Sequence, residues 1–200
     1  MATQTEVTPS LVFSQKGRAI SVETALGPDE LLLEKFEGEE ELSGNFHYTL
    51  GLLSKNPGIS AAKMIRTPAT LRITLGDGGT RTIHGMISRF AQSEQLEGLT
   101  VYEAELVPWF SLLAWSSDFC TFQNMTIPDI VRAVCKEQGF TDITMKLVKP
   151  HPPHEYRVQY GETHLAFLSR LMEEEGMFTF YEPDGKKYGR GYRGTDLNSA

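Results

Sequence analysis

The sequence predicts a mainly β protein with helices, of the α+β class, in which an antiparallel barrel or sandwich precedes a region that contains helices. Three observations carry this prediction. Up to Trp115, several short stretches alternate apolar with polar residues, and glycine-rich turns separate them. Beyond Trp115, two stretches carry apolar residues at helical spacing. Each of these follows a capping residue, ends at a glycine and leads into a strand-like stretch, so one order of elements occurs twice.

The first strands are short and close to an acidic run. Residues 11–13 and 19–26 are strand candidates, and residues 27–29 are predicted to form a turn. Residues 31–36 mix apolar with charged positions and lead into four glutamates. A solvated bend is the main interpretation of these residues, which are Glu37, Glu39, Glu40 and Glu41.

The next elements are a strand and a short helix. Apolar residues alternate with polar ones at Phe46, Tyr48 and Leu50, which places the three on one face of a strand. Residues 60–66 predict a helix of one or two turns. Ser60 is its expected N-cap, and Pro68 stops it.

A hairpin follows the short helix. Residues 69–75 and 81–87 flank a Gly-Asp-Gly-Gly turn, in which glycines supply the positive φ angles that a tight turn needs. The segment at residues 87–96 is long and polar. Residues 99–107 predict another strand, which ends at Pro108. Its buried face is expected to carry Tyr102, Ala104 and Leu106.

Three aromatic residues stand where the two regions meet. Trp109, Phe110 and Trp115 are predicted mainly as core packing at this join. A platform for a carbohydrate or a partner is the alternative interpretation.

The first helix of the second region begins near Thr126. Thr126 is the expected cap, Pro128 fits the first turn, and Asp129 favours the positive end of the helix dipole. One apolar stripe comprises Ile127, Ile130, Val131 and Val134. Gly139 is the expected terminating glycine, and residues 142–149 predict a strand.

The second helix follows a rigid connector. Residues 150–154 are proline-rich and extended, and residues 156–160 predict a strand. The helix starts at residues 162–163 and ends at Gly176. Its stripe comprises Leu165, Leu168, Leu171 and Met172. A strand at residues 177–181 comes last.

The final residues lack the apolar pattern of the rest. Lysines, arginines and glycines dominate from residue 186 onward, which predicts a disordered tail. The expected hairpin partner of residues 177–181 is missing, so we predict that the chain stops inside a domain. The predicted organisation is a disordered N-terminus at 1–10, a first barrel-like domain at 11–115, a helix-containing start of a second domain at 116–184, and a tail at 185–200.

The charge and composition of the chain limit the classes of partner that it can bind. Lys and Arg total 19 against 26 Asp and Glu, which gives a net charge of −7. Nucleic acid and anionic membranes are therefore poor partners, because both are bound through clustered cations. No apolar run is long enough to span a bilayer, and the first residues lack signal-peptide features. We therefore expect synthesis in the cytoplasm, with Cys120 and Cys135 as reduced, buried thiols.

Catalytic patterns are sparse in this sequence. It contains no phosphate-binding loop, dinucleotide fingerprint or nucleophile elbow. His151 and His154, with Glu155 or His164, are candidate metal ligands, and a small metal-dependent hydrolase is the function they would indicate. The main interpretation is an exposed proline-rich loop that carries two histidines. We therefore predict no catalytic residue, no metal and no cofactor.

Four stretches resemble one family of proteins. Residues 156–176 (YRVQYGETHLAFLSRLMEEEG) and residues 122–130 resemble segments of the VgrG (valine-glycine repeat) spike proteins of type VI secretion systems. Residues 36–43 and the hairpin at 71–87 resemble the same family. The resemblance runs from about residue 11 to residue 184 and is strong because the four stretches keep their order.

The resemblance implies a phage-tail-hub-like fold and a structural role. It implies a homotrimer whose subunits each supply two related barrel-like domains, so that a pseudo-sixfold ring docks on the hexameric Hcp (haemolysin-coregulated protein) tube. Effectors and the PAAR-repeat tip are expected only through downstream regions of such proteins. Secretion through the type VI apparatus, without a signal peptide, is expected for the intact family member.

The sequence also departs from the family pattern. The resemblance implies that the sequence ends partway through the second domain, and His164 stands where an acidic or amide residue is usual in the family. A phage or prophage tail hub is the alternative function within the structural class. The interface residues predicted from the sequence are Glu37, Glu39, Glu40, Glu41, His151 and His154.

Overall fold

The structure is a computed structural model that describes residues 13–41, 44–96, 98–141 and 143–179, and the backbone pairing of residues 195–196. The strands are β1 (Ile20–Thr24), β2 (Leu32–Glu39), β3 (His47–Ser54), β4 (Pro68–Thr74), β5 (Thr80–Leu96), β6 (Leu99–Val107), β7 (Ser117–Met125), β8 (His154–Thr163), β9 (Met177–Phe178) and β10 (Thr195–Asp196). The helices are α1 (Ala61–Met64), α2 (Ile127–Glu137) and α3 (His164–Glu174), and a 3-10 helix spans Trp109–Trp115. The predicted α+β class is confirmed.

The first region is one curled antiparallel sheet of six strands in the order β1-β4-β5-β6-β3-β2. The 17-residue strand β5 shapes it, because its first half pairs with β4 and its second half with β6. Two register shifts interrupt the β5–β6 ladder, between Ile87 and Arg89 and between Gln92 and Glu94. Such irregularities bend and twist a strand, which lets the sheet curl. The predicted barrel is thus a curled half-barrel, and the polar stretch 87–96 is the second half of a strand.

A glutamine side chain joins the two edges of this sheet. Gln15 Nε2 donates to the carbonyl of Val22 on β1, and Val22 N–H donates back to Gln15 Oε1, both at 2.8 Å. Leu33 N–H, on the opposite edge strand β2, also donates to Gln15 Oε1, at 3.1 Å. Arg18 adds a hydrogen bond to the Leu33 carbonyl at 3.2 Å. The seam between β1 and β2 is therefore bridged by side chains of the segment that leads into β1.

Alternating side chains fill the inside of the curled sheet. Tyr48, Leu50 and Leu52 of β3 are buried there, and so are Tyr102, Ala104 and Leu106 of β6. The faces predicted for these two strands are confirmed. The Tyr102 hydroxyl also donates to the Asn56 carbonyl at 2.8 Å, so this buried polar atom is satisfied.

Gly85 occupies the tightest backbone approach in the sheet core. A Cβ added there would lie 2.7 Å from the Val107 carbonyl oxygen and 2.9 Å from Leu106. We expect Gly85→Ala to lower the free energy of unfolding by about 2 kcal/mol, because the β5 and β6 backbones must separate. Chemical denaturation monitored by far-ultraviolet circular dichroism measures the change. Gly76→Ala is the control, because its Cβ would meet nothing within 4 Å, and equal stability losses in both variants would contradict the prediction.

The acidic run is strand rather than bend over its first half. Strand β2 continues to Glu39, with Glu37 paired to Thr49 and Glu39 to His47. Gly38 allows this continuation, because a Cβ there would fall 2.1 Å from the Tyr48 ring. The predicted bend is wrong over β2, since the Tyr48 ring packs against Gly38, which has no side chain, and the strand stays paired. Glu40 and Glu41 follow the strand and are exposed.

The second region packs two capped helices under a two-stranded ribbon of β7 and β8. Thr126 accepts a hydrogen bond from Asp129 N–H, which confirms the predicted cap, and Thr163 accepts one from Ala166 N–H at the predicted start of the second helix. The stripe of α2 is buried as predicted. On α3 the fully buried aromatic residue is Phe167, which the sequence analysis left out, while Leu165 is only partly buried.

Several other sequence predictions need correction. Residues 143–149 form no strand, and α1 is shorter than the predicted helix and lacks a side-chain cap at Ser60. The strand at 177–181 is not without a partner, because Met177 and Phe178 pair with Asp196 and Thr195. Phe13 is not in a strand. The predictions for residues 1–12, 180–194 and 197–200 lie outside the described residues.

Candidate functional site

The exposed acidic run lies at an edge strand of the curled sheet. Glu37 and Glu39 belong to β2, and all four predicted glutamates are exposed. Glu40 is held in place, because it accepts from the Tyr48 hydroxyl at 2.6 Å and from the Arg81 guanidinium at 2.5 Å. Burial and the adjacent Glu40 carboxylate raise the pKa of Tyr48 to about 12, so this hydroxyl stays a donor. The run therefore presents negative charge from a fixed backbone.

The two predicted loop histidines converge on one carboxylate. His151 Nδ1 contacts Glu175 Oε2, and His154 Nε2 lies 2.7 Å from Glu175 Oε1. Glu175 follows α3 directly, and its side chain is only 12 % exposed. The three prolines of the loop are exposed as expected, but the His151 side chain is only 2 % exposed. The cluster ties the connector 150–154 to the C-terminal end of α3.

The contact with Arg157 indicates which ring nitrogen of His154 acts as the acceptor in this cluster. The Arg157 guanidinium lies 3.2 Å from His154 Nδ1 and, as a group without an acceptor, must donate there. His154 Nδ1 is then the acceptor, and Nε2 carries the hydrogen that is donated to Glu175. A histidine whose two nitrogens are used in this way offers no lone pair to a metal ion. The described residues contain no group of three His, Cys, Asp or Glu suited to hold one.

The other proposed metal ligands lie elsewhere. His164 is buried at the start of α3, where its Nδ1 lies 3.2 Å from the Gln159 side-chain oxygen. Gln159 Nε2 donates to the Glu162 carbonyl at 2.8 Å, which makes the oxygen the acceptor toward His164. Glu155 is exposed on β8. The structure therefore brings His151 and His154 together with Glu175, rather than with Glu155 or His164.

Glu175 makes the stability of this cluster depend on pH. Burial favours the neutral acid, but the hydrogen bonds from His151 and His154 outweigh it, and the pKa of Glu175 falls below its ordinary 4.5. A lowered pKa stabilises the fold above the ordinary value, and this contribution is lost as the pH falls through the lowered value. We expect Glu175→Gln to destabilise the protein at pH 7 by about 1–2 kcal/mol and by less below pH 4 or so.

Denaturant unfolding at a series of pH values tests this expectation. Glu173→Gln is the control, since Glu173 is exposed at the same helix end. The idea fails if the two variants lose the same stability at every pH.

The ribbon has one inward and one outward face. Inward, Phe122 stacks on Phe167 of α3 with ring centroids 5.5 Å apart. Outward, Phe119 and Tyr160 form a cross-strand pair whose rings meet edge to face at 5.1 Å. We call the outward set the ribbon face, and it comprises Phe119, Thr121, Gln123, Tyr156, Val158 and Tyr160. It is apolar or uncharged throughout.

The aromatic join and the cysteines are mostly interior. Trp109 and Phe110 are buried in the core of the second region, as predicted. Trp115 is exposed, so core packing is the wrong interpretation for it.

Both cysteines of the chain are free thiols. Burial raises the pKa of the Cys135 thiol to about 12, which keeps it unreactive, and Cys120 is half-buried.

Sequence reasoning missed two features of this region. Glu175 was not singled out, although its carboxylate contacts both loop histidines. Phe119 and Tyr160 were not singled out, because they lie far apart in the sequence and only strand pairing brings them together. Only the β7–β8 register, in which the two are opposite, reveals the pair. A signal was present in the outward alternation of residues 117, 119, 121 and 123.

Comparison with known proteins places the chain among tail and spike components. Residues 39–190 match the family described as phage tail baseplate hub (GPD). The type VI secretion system spike protein VgrG1a of Pseudomonas aeruginosa is 38% identical over 174 residues, which is 87% of this chain and 27% of that protein. The chain thus spans about a quarter of the length of this curated relative.

Solved structures agree with this placement. The E. coli c3393 protein, a type VI secretion component with structural similarity to the T4 bacteriophage tail proteins gp27 and gp5, matches with a TM-score of 0.72 and 28% identity. That match covers 92% of this chain and 48% of the other. A prophage tail protein from Shewanella oneidensis shares the fold at a TM-score of 0.58 and 19% identity, over 90% of this chain and 55% of the other. None of the helices among the described residues is long and apolar enough to cross a membrane.

Proposed function

The chain belongs to the phage tail baseplate hub (GPD) family, and we propose that it is the hub part of a type VI secretion spike. The observation that supports this most is the likeness to the c3393 protein, because it extends over both the six-stranded sheet and the helical region. In this proposal the role is structural and non-enzymatic, and the family's description as a tail baseplate hub supports the structural part. Such a chain contributes a rigid sheet that carries a fixed set of contact surfaces.

The proposed assembly is a ring of three copies. Each copy supplies the curled sheet as one barrel-like domain and the helical region as the start of a related second domain. Three copies then present six lobes, which is the symmetry needed to seat on a hexameric Hcp tube. In this proposal the ring leaves the cell through the type VI apparatus and helps to puncture the target. Effectors and the tip attach through parts of the relatives that this chain does not match.

The acidic run is a proposed contact surface of the ring. Glu37, Glu39, Glu40 and Glu41 are exposed next to an ordered strand, so they suit a basic partner surface. His151 and His154 stay a weaker proposal as contacts, since both side chains already engage Glu175. Their contribution is to hold the connector against α3.

The experiment is to purify the chain and measure its mass by sedimentation velocity, alone and with an Hcp hexamer. We expect a species of three copies that cosediments with the hexamer. As a control, Glu37, Glu39 and Glu41 are changed to lysine. We expect this variant to form the trimer but not to bind the Hcp hexamer. A chain that stays monomeric at about 100 μM and does not bind Hcp would overturn the proposal.

A phage or prophage tail hub is the second candidate. The shared fold with the Shewanella prophage tail protein favours it, but that protein is less similar in sequence than the type VI component is. Binding to a phage tail tube protein in place of Hcp, in the same sedimentation experiment, would select this candidate.

A further inference from the structure

The ribbon face exposes an unusual amount of aromatic surface. Phe119 is 70% exposed, Tyr160 is 80% exposed and Tyr156 is 56% exposed. The three lie on one side of an antiparallel pair whose register has no shift between Phe119 and Gln123. Their neighbours on that side are Thr121, Gln123 and Val158, none of them charged. The other large exposed apolar side chains among the described residues are Leu75, Leu96, Trp115, Leu147 and Val148.

The ribbon face needs a binding partner that buries its apolar surface. A two-stranded sheet alone is at best marginally stable in water. Here the inward face is secured by Phe122 on Phe167, whereas Phe119, Tyr156 and Tyr160 of the outward face are exposed. Gly161, at φ +66°, lets the Phe119 ring lie against the β8 backbone, where a Cβ would come within 3.1 Å of it. The aromatic pair is therefore held in place before any partner arrives.

We propose that the ribbon face is the surface through which one copy of this chain contacts a second copy. This inference rests on the proposed function, which requires copies to associate, and adds the surface that does it. The three aromatic side chains expose on the order of 400 Å². A standard interface buries about 800 Å² per partner, so the aromatic part alone supplies about half of that.

Charge also favours a second copy. Two chains of net charge −7 repel each other, so a contact between copies needs a patch free of carboxylates. The ribbon face is such a patch. It has no lysine or arginine, so it offers nothing to the phosphates of a nucleic acid or an anionic lipid. Tyrosine and phenylalanine in a charge-free centre are the composition that interface cores prefer.

The test compares one double variant with a matched control. Phe119→Asp with Tyr160→Asp puts two carboxylates on the ribbon face, and both side chains are exposed enough that the fold should persist. The control is Leu75→Asp with Leu96→Asp, two exposed leucines of the first region that lie outside the ribbon face. Sedimentation velocity gives the association constant, and the melting temperature and circular dichroism report the fold. A second variant, Tyr160→Ser, serves if the double variant misfolds.

We expect the ribbon variant to associate at least 30-fold more weakly than the unmodified chain, with the control unchanged. Tyr160→Ser should weaken association about tenfold. Unchanged association in both ribbon variants would overturn this inference and leave the proposed trimer standing. An unmodified chain that does not self-associate at about 100 μM would overturn both. A third outcome is that both ribbon variants still self-associate but no longer bind Hcp, which the unmodified chain does bind. This outcome would assign the ribbon face to the tube and overturn the inference.

Discussion

Leu168→Asp is expected to unfold the second region of the protein. Leu168 is fully buried in the core formed by α2, α3 and the 3-10 helix. An ionised carboxylate there finds no partner among apolar neighbours, and the cavity left by the leucine adds to its desolvation. We expect a loss of at least about 4 kcal/mol, which exceeds what a region of this size can tolerate. Far-ultraviolet circular dichroism should show loss of helix at 25 °C.

A control on the same helix isolates burial from helix propensity. Ala166 is exposed two residues before Leu168, at the third position of α3, where a carboxylate suits the positive end of the helix dipole. Ala166→Asp should be neutral or slightly stabilising. The six-stranded sheet has its own core, so it should stay folded in Leu168→Asp. An unchanged melting profile for Leu168→Asp would show that the helix face is assigned wrongly.

Local patterns predicted the elements that depend on local physics. Alternation identified the inward faces of β3 and β6, because a strand turns its side chains to opposite sides at every residue. Thr126 and Thr163 identified two helix starts, because capping is a contact over three residues. Residues 143–149 alternate in a similar way and yet form no strand, because no strand among the described residues pairs with them. Alternation predicts what a strand would bury, but it supplies no partner.

The parts of the site that were missed depend on contacts between distant residues. Glu175 meets His151 and His154 across more than twenty positions, and Phe119 meets Tyr160 across about forty. Neither pair has a local signature. The family resemblance did place both segments in one domain, but it gave no register. The interface proposed for the ribbon face therefore became visible only with the β7–β8 pairing.

Gln15→Leu is expected to open the seam of the curled sheet. The side-chain amide of Gln15 bonds the backbone of Val22 on β1 and of Leu33 on β2, which are the two edge strands. Leucine fills a similar volume but leaves two N–H groups and one carbonyl without this partner. Each such group costs about 1 kcal/mol or more when water cannot replace the bond. We expect a total loss of about 2–4 kcal/mol of unfolding free energy.

Hydrogen exchange distinguishes an open seam from general weakening. In Gln15→Leu the amides of Val22 and Leu33 should exchange at least tenfold faster, while amides of the central strands β5 and β6 change only with global stability. Gln15→Glu is the sharper variant, because a carboxylate still accepts from both N–H groups but cannot donate to the Val22 carbonyl. It should recover protection at Val22 and Leu33 in part. Equal acceleration over all six strands would mean that Gln15 is one contact among many, whereas acceleration confined to the two edges would show that a single side chain takes the place of a missing ladder.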